Sequence, residues 1–137
     1  EPAPAPTPPM PTGDMLTDRL NTVQFNRAVD WKATSAMERI PSSKGEKRGY
    51  EIVLPGPPFC HTYIAVAEDG IEEFAVTVES PMATPEGSAA WPPAPGDTTH
   101  SAVIADHCPT MPGTYKVFFE NRKGAGSFAL QVFSKAK

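Results

Sequence analysis

The feature that most constrains the fold is an alternation of apolar and polar residues that begins after Gly45. Short runs with every second residue apolar are separated by Pro, Gly and Asp-Gly turns, which is typical of antiparallel sheets packed in two layers. The sequence therefore predicts an all-β domain over residues 45–137, an antiparallel, jelly-roll-like β-sandwich. The alternating positions are Tyr50, Ile52 and Leu54, then Cys60, Thr62, Ile64 and Val66, then Phe74, Val76 and Val78.

Residues 114–133, "TYKVFFENRKGAGSFALQVF", predict a final β-hairpin whose turn is supplied by Gly124 and Gly126. Phe118 and Phe133 then fall on the outward faces of its two strands. Two outward aromatic residues would form an apolar patch, covered either by the N-terminal segment or by another subunit. Both residues are therefore candidates for partner binding.

Residues 82–100, "MATPEGSAAWPPAPGDTTH", are rich in Pro, Gly and small side chains and predict a long loop. Trp91 lies within it. An exposed indole there would stack on a sugar or fill a pocket of a partner. The alternative is that Trp91 folds back over the sheet edge and caps the core.

The N-terminus, residues 1–13, alternates Pro with small residues and predicts an extended polyproline II arm. Because the chain begins with Glu, we expect a mature exported protein or a lipoprotein; the alternative is a boundary inside a longer linker. The arm would act as a stiff spacer or a docking strap. Its candidate partner-binding residues are Pro2, Pro4, Pro6, Pro8 and Pro9.

Residues 14–44 predict a short helix over 14–22 followed by extended chain. Met15, Leu16, Leu20 and Val23 follow helical spacing, whereas Phe25 begins a segment in which alternate residues are apolar. We expect this segment to pack on one end or edge of the domain.

Composition excludes several classes of partner. The 137 residues contain 12 Lys and Arg against 16 Asp and Glu, and no basic cluster of the kind that binds nucleic acid. No apolar stretch approaches the ~20 residues that span a bilayer. A membrane contact would therefore depend on an N-terminal lipid anchor.

The two cysteines, Cys60 and Cys108, predict a disulfide. They lie at the start of one predicted strand and the end of another, positions that antiparallel neighbours bring together. A disulfide between them would indicate an oxidising compartment outside the cytoplasm.

Three metal sites compete with that interpretation. Blue copper would use the Cys108 thiolate with His61 or His100 and Met111, but Thr114 stands where a second histidine would fall. Zinc would need His100, Asp106, His107 and Cys108 on one face of a strand that spreads them over both. Calcium could use the acidic turn with Glu68, Asp69, Glu72 and Glu73, which a solvated turn explains equally well. We therefore expect no cofactor.

No catalytic constellation can be assigned. Ser88 in "EGSAA" lacks the second glycine of a nucleophile elbow, and "GAGSF" has turn rather than phosphate-binding context. The sequence predicts a protein that is not an enzyme.

Residues 50–134 carry a resemblance to a known family. A strand is followed by Cys60 with Tyr63, then by an alternating strand, a Cys-Pro pair, a Pro-Gly-Thr-Tyr strand and a Gly-x-Gly-x-aromatic strand. This order resembles the bacterial pre-peptidase C-terminal (PPC)-like secreted β-sandwich of lipoproteins, although the Pro-rich loop departs from it. The resemblance implies export and a non-catalytic appendage.

The sequence as a whole predicts a periplasmic or cell-surface accessory subunit that binds other proteins of an envelope complex. The alternatives are a carbohydrate-binding module that uses Trp91 and a small metal or redox carrier.

Overall fold

The computed structural model describes residues 7–137, which form one helix and nine strands. The helix precedes all of the strands in the chain. In order, the elements are α1 (Met15–Arg27), β1 (Lys32–Ala33), β2 (Glu38–Ser42), β3 (Lys47–Leu54), β4 (Phe59–Ala67), β5 (Ile71–Glu79), β6 (Pro85–Trp91), β7 (Ser101–His107), β8 (Gly113–Gly124) and β9 (Gly126–Ala136).

The strands form two antiparallel sheets, which confirms the predicted all-β sandwich. The helix-covered sheet has the order β1-β9-β4-β7, with β2 also paired to β9, and the second sheet has the order β3-β8-β5-β6. Phe119 of β8 and Phe128 of β9 stack across the interior with ring centroids 3.7 Å apart. The alternating apolar residues of β3, β5, β8 and β9 thus meet between the layers, as the pattern predicts.

Strand β4 is buried on both faces. Tyr63 and Ala65 point into the core between the sheets, whereas Ile64 and Val66 belong to a second cluster with Leu20 of α1. The face predicted to carry Ile64 and Val66 therefore lies beneath the helix. No helix in the described part of the chain is long and apolar enough to span a bilayer.

The helix is longer than predicted. It runs to Arg27 and includes Phe25, which the sequence placed in extended chain. Leu16, Leu20 and Val23 form a stripe that packs on the helix-covered sheet, and this contact extends the helix past the point where the alternation begins. Tertiary packing here outweighs local pattern.

The predicted hairpin over 114–133 is wrong, because β8 and β9 belong to different sheets. The chain crosses between the layers at Gly124, where φ is +93° and a β-carbon would meet the Gly70 carbonyl oxygen at 2.1 Å. Both strands still bury one face in the same core. A period-two pattern therefore cannot distinguish a crossover from a hairpin.

The predicted loop over 82–100 contains β6, which pairs with β5 from Phe74–Trp91 to Glu79–Pro85. This strand lies at the edge of the second sheet, and Trp91 is its one buried residue. An exposed edge strand of small residues shows no alternation of large apolar and polar side chains. The sequence pattern therefore did not indicate a strand here.

The predicted disulfide is confirmed. Cys60 at the start of β4 is joined to Cys108, which directly follows β7, with the two Cα atoms 4.1 Å apart. These strands are antiparallel neighbours.

Candidate functional site

A groove of about 680 Å³ lies where the edges of the two sheets meet. Its walls are the first half of β6 and the second half of β7, with the chain that continues to Thr110. The side chains that line it are mostly small or polar. They are Glu86, Gly87 and Ser88 from β6, and Val103, Ile104, Ala105, Asp106, His107, Cys108 and Thr110 from β7 and beyond.

Both walls are edge strands within the described residues, since β6 pairs only with β5 and β7 only with β4. The Ala67 N–H donates to the His100 carbonyl at 3.0 Å, which fixes the alternation of hydrogen-bonded pairs between β4 and β7. Ser101 and Val103 therefore direct their backbone N–H and C=O groups away from β4. These groups form a free strand edge along the groove.

A bulge ends this edge near the disulfide. The register of β4 against β7 shifts between His61 and Tyr63, so Thr62 faces two residues of β7. Asp106 adopts a left-handed backbone conformation there, with φ +54°. The bulge turns Asp106 outward, where it pairs with Lys137, while His107 turns inward.

A buried hydrogen-bond network joins the two sheets behind the groove. The Tyr63 hydroxyl lies 2.6 Å from Nδ1 of His107, and Nε2 of His107 lies 2.6 Å from Oε1 of Glu86. Because a carboxylate oxygen only accepts, Nε2 of His107 carries a proton and donates it to the hydrogen bond with Glu86. Burial, with the nearby Tyr115 and Glu86, raises the pKa of Tyr63 and keeps that hydroxyl protonated.

His61 is a fully buried neighbour of this network. Its ring lies 6.5 Å from that of His107, and neither of its nitrogens has a hydrogen-bond partner among residues 7–137. Burial, and after it the adjacent His107, lowers the pKa of His61. Neutral His61 is therefore the favoured form in the folded chain.

A second depression of about 450 Å³ adjoins the groove and shares Val103 with it. It is lined by Asn26 and Arg27, at the end of α1, and by Asp97, beside residues of β7. The free edge of β7 therefore has an acidic side chain, Glu86, near one end and Arg27 near the other.

Trp91 is not an exposed binding residue, which corrects that candidate and the sugar-stacking alternative built on it. Its side chain is 5% exposed, packed between Phe74 and the His100 ring, whose centroid lies 4.0 Å away. The indole N–H donates to Asp97 at 2.9 Å. Trp91 caps the core at the sheet edge, as the alternative interpretation held.

Phe118 and Phe133 do not form a shared patch, because they lie on the outer faces of different sheets. Phe133 is 3% exposed beneath α1 and is therefore corrected as a partner-binding residue. Phe118 is half-buried, and the Lys47 ammonium covers its ring at 4.7 Å. The N-terminal segment is what covers Phe133.

The arm candidates divide in two. Pro2, Pro4 and Pro6 lie outside the described residues. Pro8 and Pro9 are exposed, and Pro9 lies beside Asn21 on the outer face of α1. The arm continues to Thr12, whose N–H and hydroxyl both donate to Asp18 at 2.8 Å.

Side chains that were candidate metal ligands make other bonds and contacts in the structure. Cys108 has no thiolate to offer because its sulfur is bonded to Cys60, and the His100 ring stacks on Trp91. In the acidic turn, Glu68 accepts from the Ser127 N–H at 2.6 Å and Asp69 pairs with Arg19. Over residues 7–137, no three His, Cys, Asp or Glu side chains come together as a metal site.

The sequence pattern did not reveal the network of Tyr63, His107 and Glu86, whose members are 44 and 21 residues apart. One signal was present. His61 follows Cys60 and His107 precedes Cys108, so a disulfide between the cysteines places the histidines side by side. Nothing in the sequence indicated Glu86, because β6 was expected to be a loop.

No family model and no curated protein matches the chain. Among solved structures, it is similar to the crystal structure of Aeromonas hydrophila PliG, a periplasmic lysozyme inhibitor of g-type lysozyme. The two share 13% identity over 79% of this chain and 90% of that chain, with a TM-score of 0.48. A likeness of this degree does not bear on what this chain binds.

Proposed function

We propose that the chain is an exported, non-enzymatic protein-binding subunit that holds an extended segment of a partner along the free edge of β7. Strand addition of this kind uses backbone hydrogen bonds for affinity and the neighbouring side chains for specificity. The partner we expect is another protein of an envelope complex.

The single observation that carries the proposal is the free backbone of Val103, which lines the groove, and of Ser101, which lines the adjoining depression. Together these residues offer two N–H donors and two C=O acceptors in the geometry of a sheet. Unpaired strand edges recruit other chains unless they are blocked. The bulge at Asp106 blocks the edge only at its far end.

Export is supported by the disulfide between Cys60 and Cys108. Disulfides persist in oxidising compartments such as the periplasm and the cell surface. The resemblance to the PPC-like domains of exported proteins agrees with this location and with an appendage role.

The test removes one backbone donor from the edge. Val103→Pro deletes an N–H that makes no bond to β4, so the sheet should keep its pairing while the edge loses a donor. A random ten-residue peptide library is selected against the folded chain, and binders are titrated by NMR. We expect shifts at the Ser101 and Val103 amides and affinity at least about tenfold lower for Val103→Pro.

Val53→Pro is the matched control. Val53 is an exposed valine on β3, the opposite edge of the second sheet. The Asn121 N–H donates to the Glu46 carbonyl, so by the same alternation Val53 also directs its N–H outward. Binding should survive this substitution. Peptides that shift other amides, or that bind Val103→Pro as tightly as the parent, would overturn the proposal.

Membership of an envelope complex has a separate test. The parent chain and both proline variants are used as bait on solubilised envelope fractions of the source cells. A complex retained by Val53→Pro and lost with Val103→Pro supports the assignment. Equal recovery with all three baits contradicts it.

A further inference from the structure

The Glu86 carboxylate is held in place from within the protein. Its Oε1 accepts from His107, which is 8% exposed, and His107 is fixed in turn by the fully buried Tyr63. The Glu86 side chain itself is 31% exposed at the groove. One oxygen is thus anchored while the carboxylate still faces solvent, an arrangement that reduces the entropy lost when a surface side chain is ordered by a ligand.

No Lys or Arg side chain in the described part of the chain pairs with the Glu86 carboxylate. Within the described residues, the ion pairs with Lys or Arg are formed by other carboxylates, and Glu86 contacts only His107. Those other carboxylates are Asp14, Asp30, Glu46, Asp69, Asp106 and Glu120.

The position of Glu86 beside the free edge of β7 determines which side chains of a bound segment could reach its carboxylate. Glu86 and Val103 line the same groove, Glu86 from β6 and Val103 from β7. A segment paired with Val103 would therefore carry side chains past Glu86. Within the described residues, no Lys or Arg side chain lines this groove.

We propose, on the basis of the proposed function, that Glu86 forms the specificity subsite of the groove. It selects a partner segment that carries an Arg or Lys side chain. The guanidinium or ammonium group would bond to the exposed part of the carboxylate. Hydrogen bonds between charged groups are stronger than neutral ones, and partial burial protects this one from solvent screening. His107 and Tyr63 act as positioning residues.

The test uses the same random ten-residue peptide library against four proteins: the parent, Glu86→Gln, Glu51→Gln and Val103→Pro. Glu86→Gln keeps an oxygen that accepts from His107 and removes the charge. Glu51→Gln makes the same change at an exposed position on β3, the opposite edge of the second sheet. We expect Arg and Lys enrichment with the parent and Glu51→Gln, and no enrichment with Glu86→Gln.

A direct titration follows with the best Arg-containing binder and its Arg→Gln counterpart. The parent should prefer the Arg peptide by about tenfold, and Glu86→Gln should bind both equally. Raising the salt tenfold, from roughly 50 to roughly 500 mM, should weaken only the pairing with intact Glu86, because screening acts on the charge.

The outcomes separate the two proposals. Peptides that shift the Ser101 and Val103 amides without any preference for Arg or Lys overturn the subsite and leave strand docking intact. A basic preference that persists in Glu86→Gln likewise overturns the subsite alone. Failure of every peptide to shift those amides overturns both proposals together.

Discussion

Gly87 of β6 lies so close to Ile104 of β7 that a β-carbon on Gly87 would stand 2.9 Å from the Cγ2 atom of Ile104. The absence of a side chain at Gly87 therefore lets the edges of the two sheets approach each other. This contact sets the spacing between the walls of the groove.

We expect Gly87→Ala to push the walls apart. The added methyl group must displace Ile104 or β6, at a cost of about 1–3 kcal/mol in the free energy of unfolding. Denaturant unfolding measures the cost, and NMR shifts at Val103 and Glu86 report the displacement. The double variant with Ile104→Ala removes the clashing methyl group, so its loss of stability should be smaller than the sum of the single losses. Additive losses would contradict the contact.

The buried His61 should make stability depend on pH. Burial lowers the pKa of His61 in the folded chain below its ordinary value of 6.5, so the unfolded chain takes up the proton first. The stabilisation that comes from neutral His61 is complete above about pH 6.5 and is lost as the pH falls from there through the folded pKa. Unfolding free energies measured from about pH 7.5 down to about pH 5 should decline accordingly.

His61→Leu should flatten that decline, because leucine has a similar size and no proton to bind. The control is His100→Asn, which removes a histidine outside the buried network and tolerates the positive φ of that position. The decline should persist in the control. An equal slope in the parent and in His61→Leu would show that the titration of His61 does not govern stability.

The sequence predicted those features that depend on burial along a single strand. Alternating residues such as Phe74, Val76 and Val78 reach the core as expected, and the disulfide joins the strands that its position indicated. The sheet to which a strand belongs could not be predicted in the same way. Phe119 and Phe128 show why, since they face the same core from opposite layers and have the pattern of a hairpin.

Most of the candidate site could not be predicted from the sequence, for a related reason. A free strand edge is a property of the order of strands in a sheet, and no residue type encodes it. Glu86 lies in a segment whose Pro and Gly content indicated a loop. Nothing in the sequence indicated a polar role for Tyr63, because the partner of its hydroxyl, His107, lies 44 residues away in the chain.

The helix α1 should depend on its buried stripe for docking. Leu20 is 2% exposed in the cluster with Ile64 and Phe133, so Leu20→Ala should cost about 2–5 kcal/mol. Met15→Ala, at a side chain that is 46% exposed on the same helix, should change the stability by no more than about 0.5 kcal/mol. Hydrogen exchange should accelerate over α1 only in Leu20→Ala. Equal costs for the two variants would contradict the assigned packing.

The disulfide should contribute strongly to stability, because Cys60 and Cys108 are 48 residues apart and the bond restricts the unfolded chain. On the chain-entropy model a loop of this length contributes about 4 kcal/mol. Replacing both cysteines by alanine should lower the free energy of unfolding by a similar amount, seen as a lower denaturant midpoint. The replacement should also abolish any effect of reductant on stability. The parent protein under reducing conditions should approach the variant.

Loss of the bond should also loosen the network that holds Glu86, because Cys108 directly follows His107. NMR line broadening at Tyr63 and Glu86 in the double alanine variant would report this loosening. A reductant effect that persists in the double variant, or a midpoint unchanged by either treatment, would show that the bond does not stabilise the fold. Sharp, unshifted signals at Tyr63 and Glu86 would show instead that the network holds Glu86 without help from the disulfide.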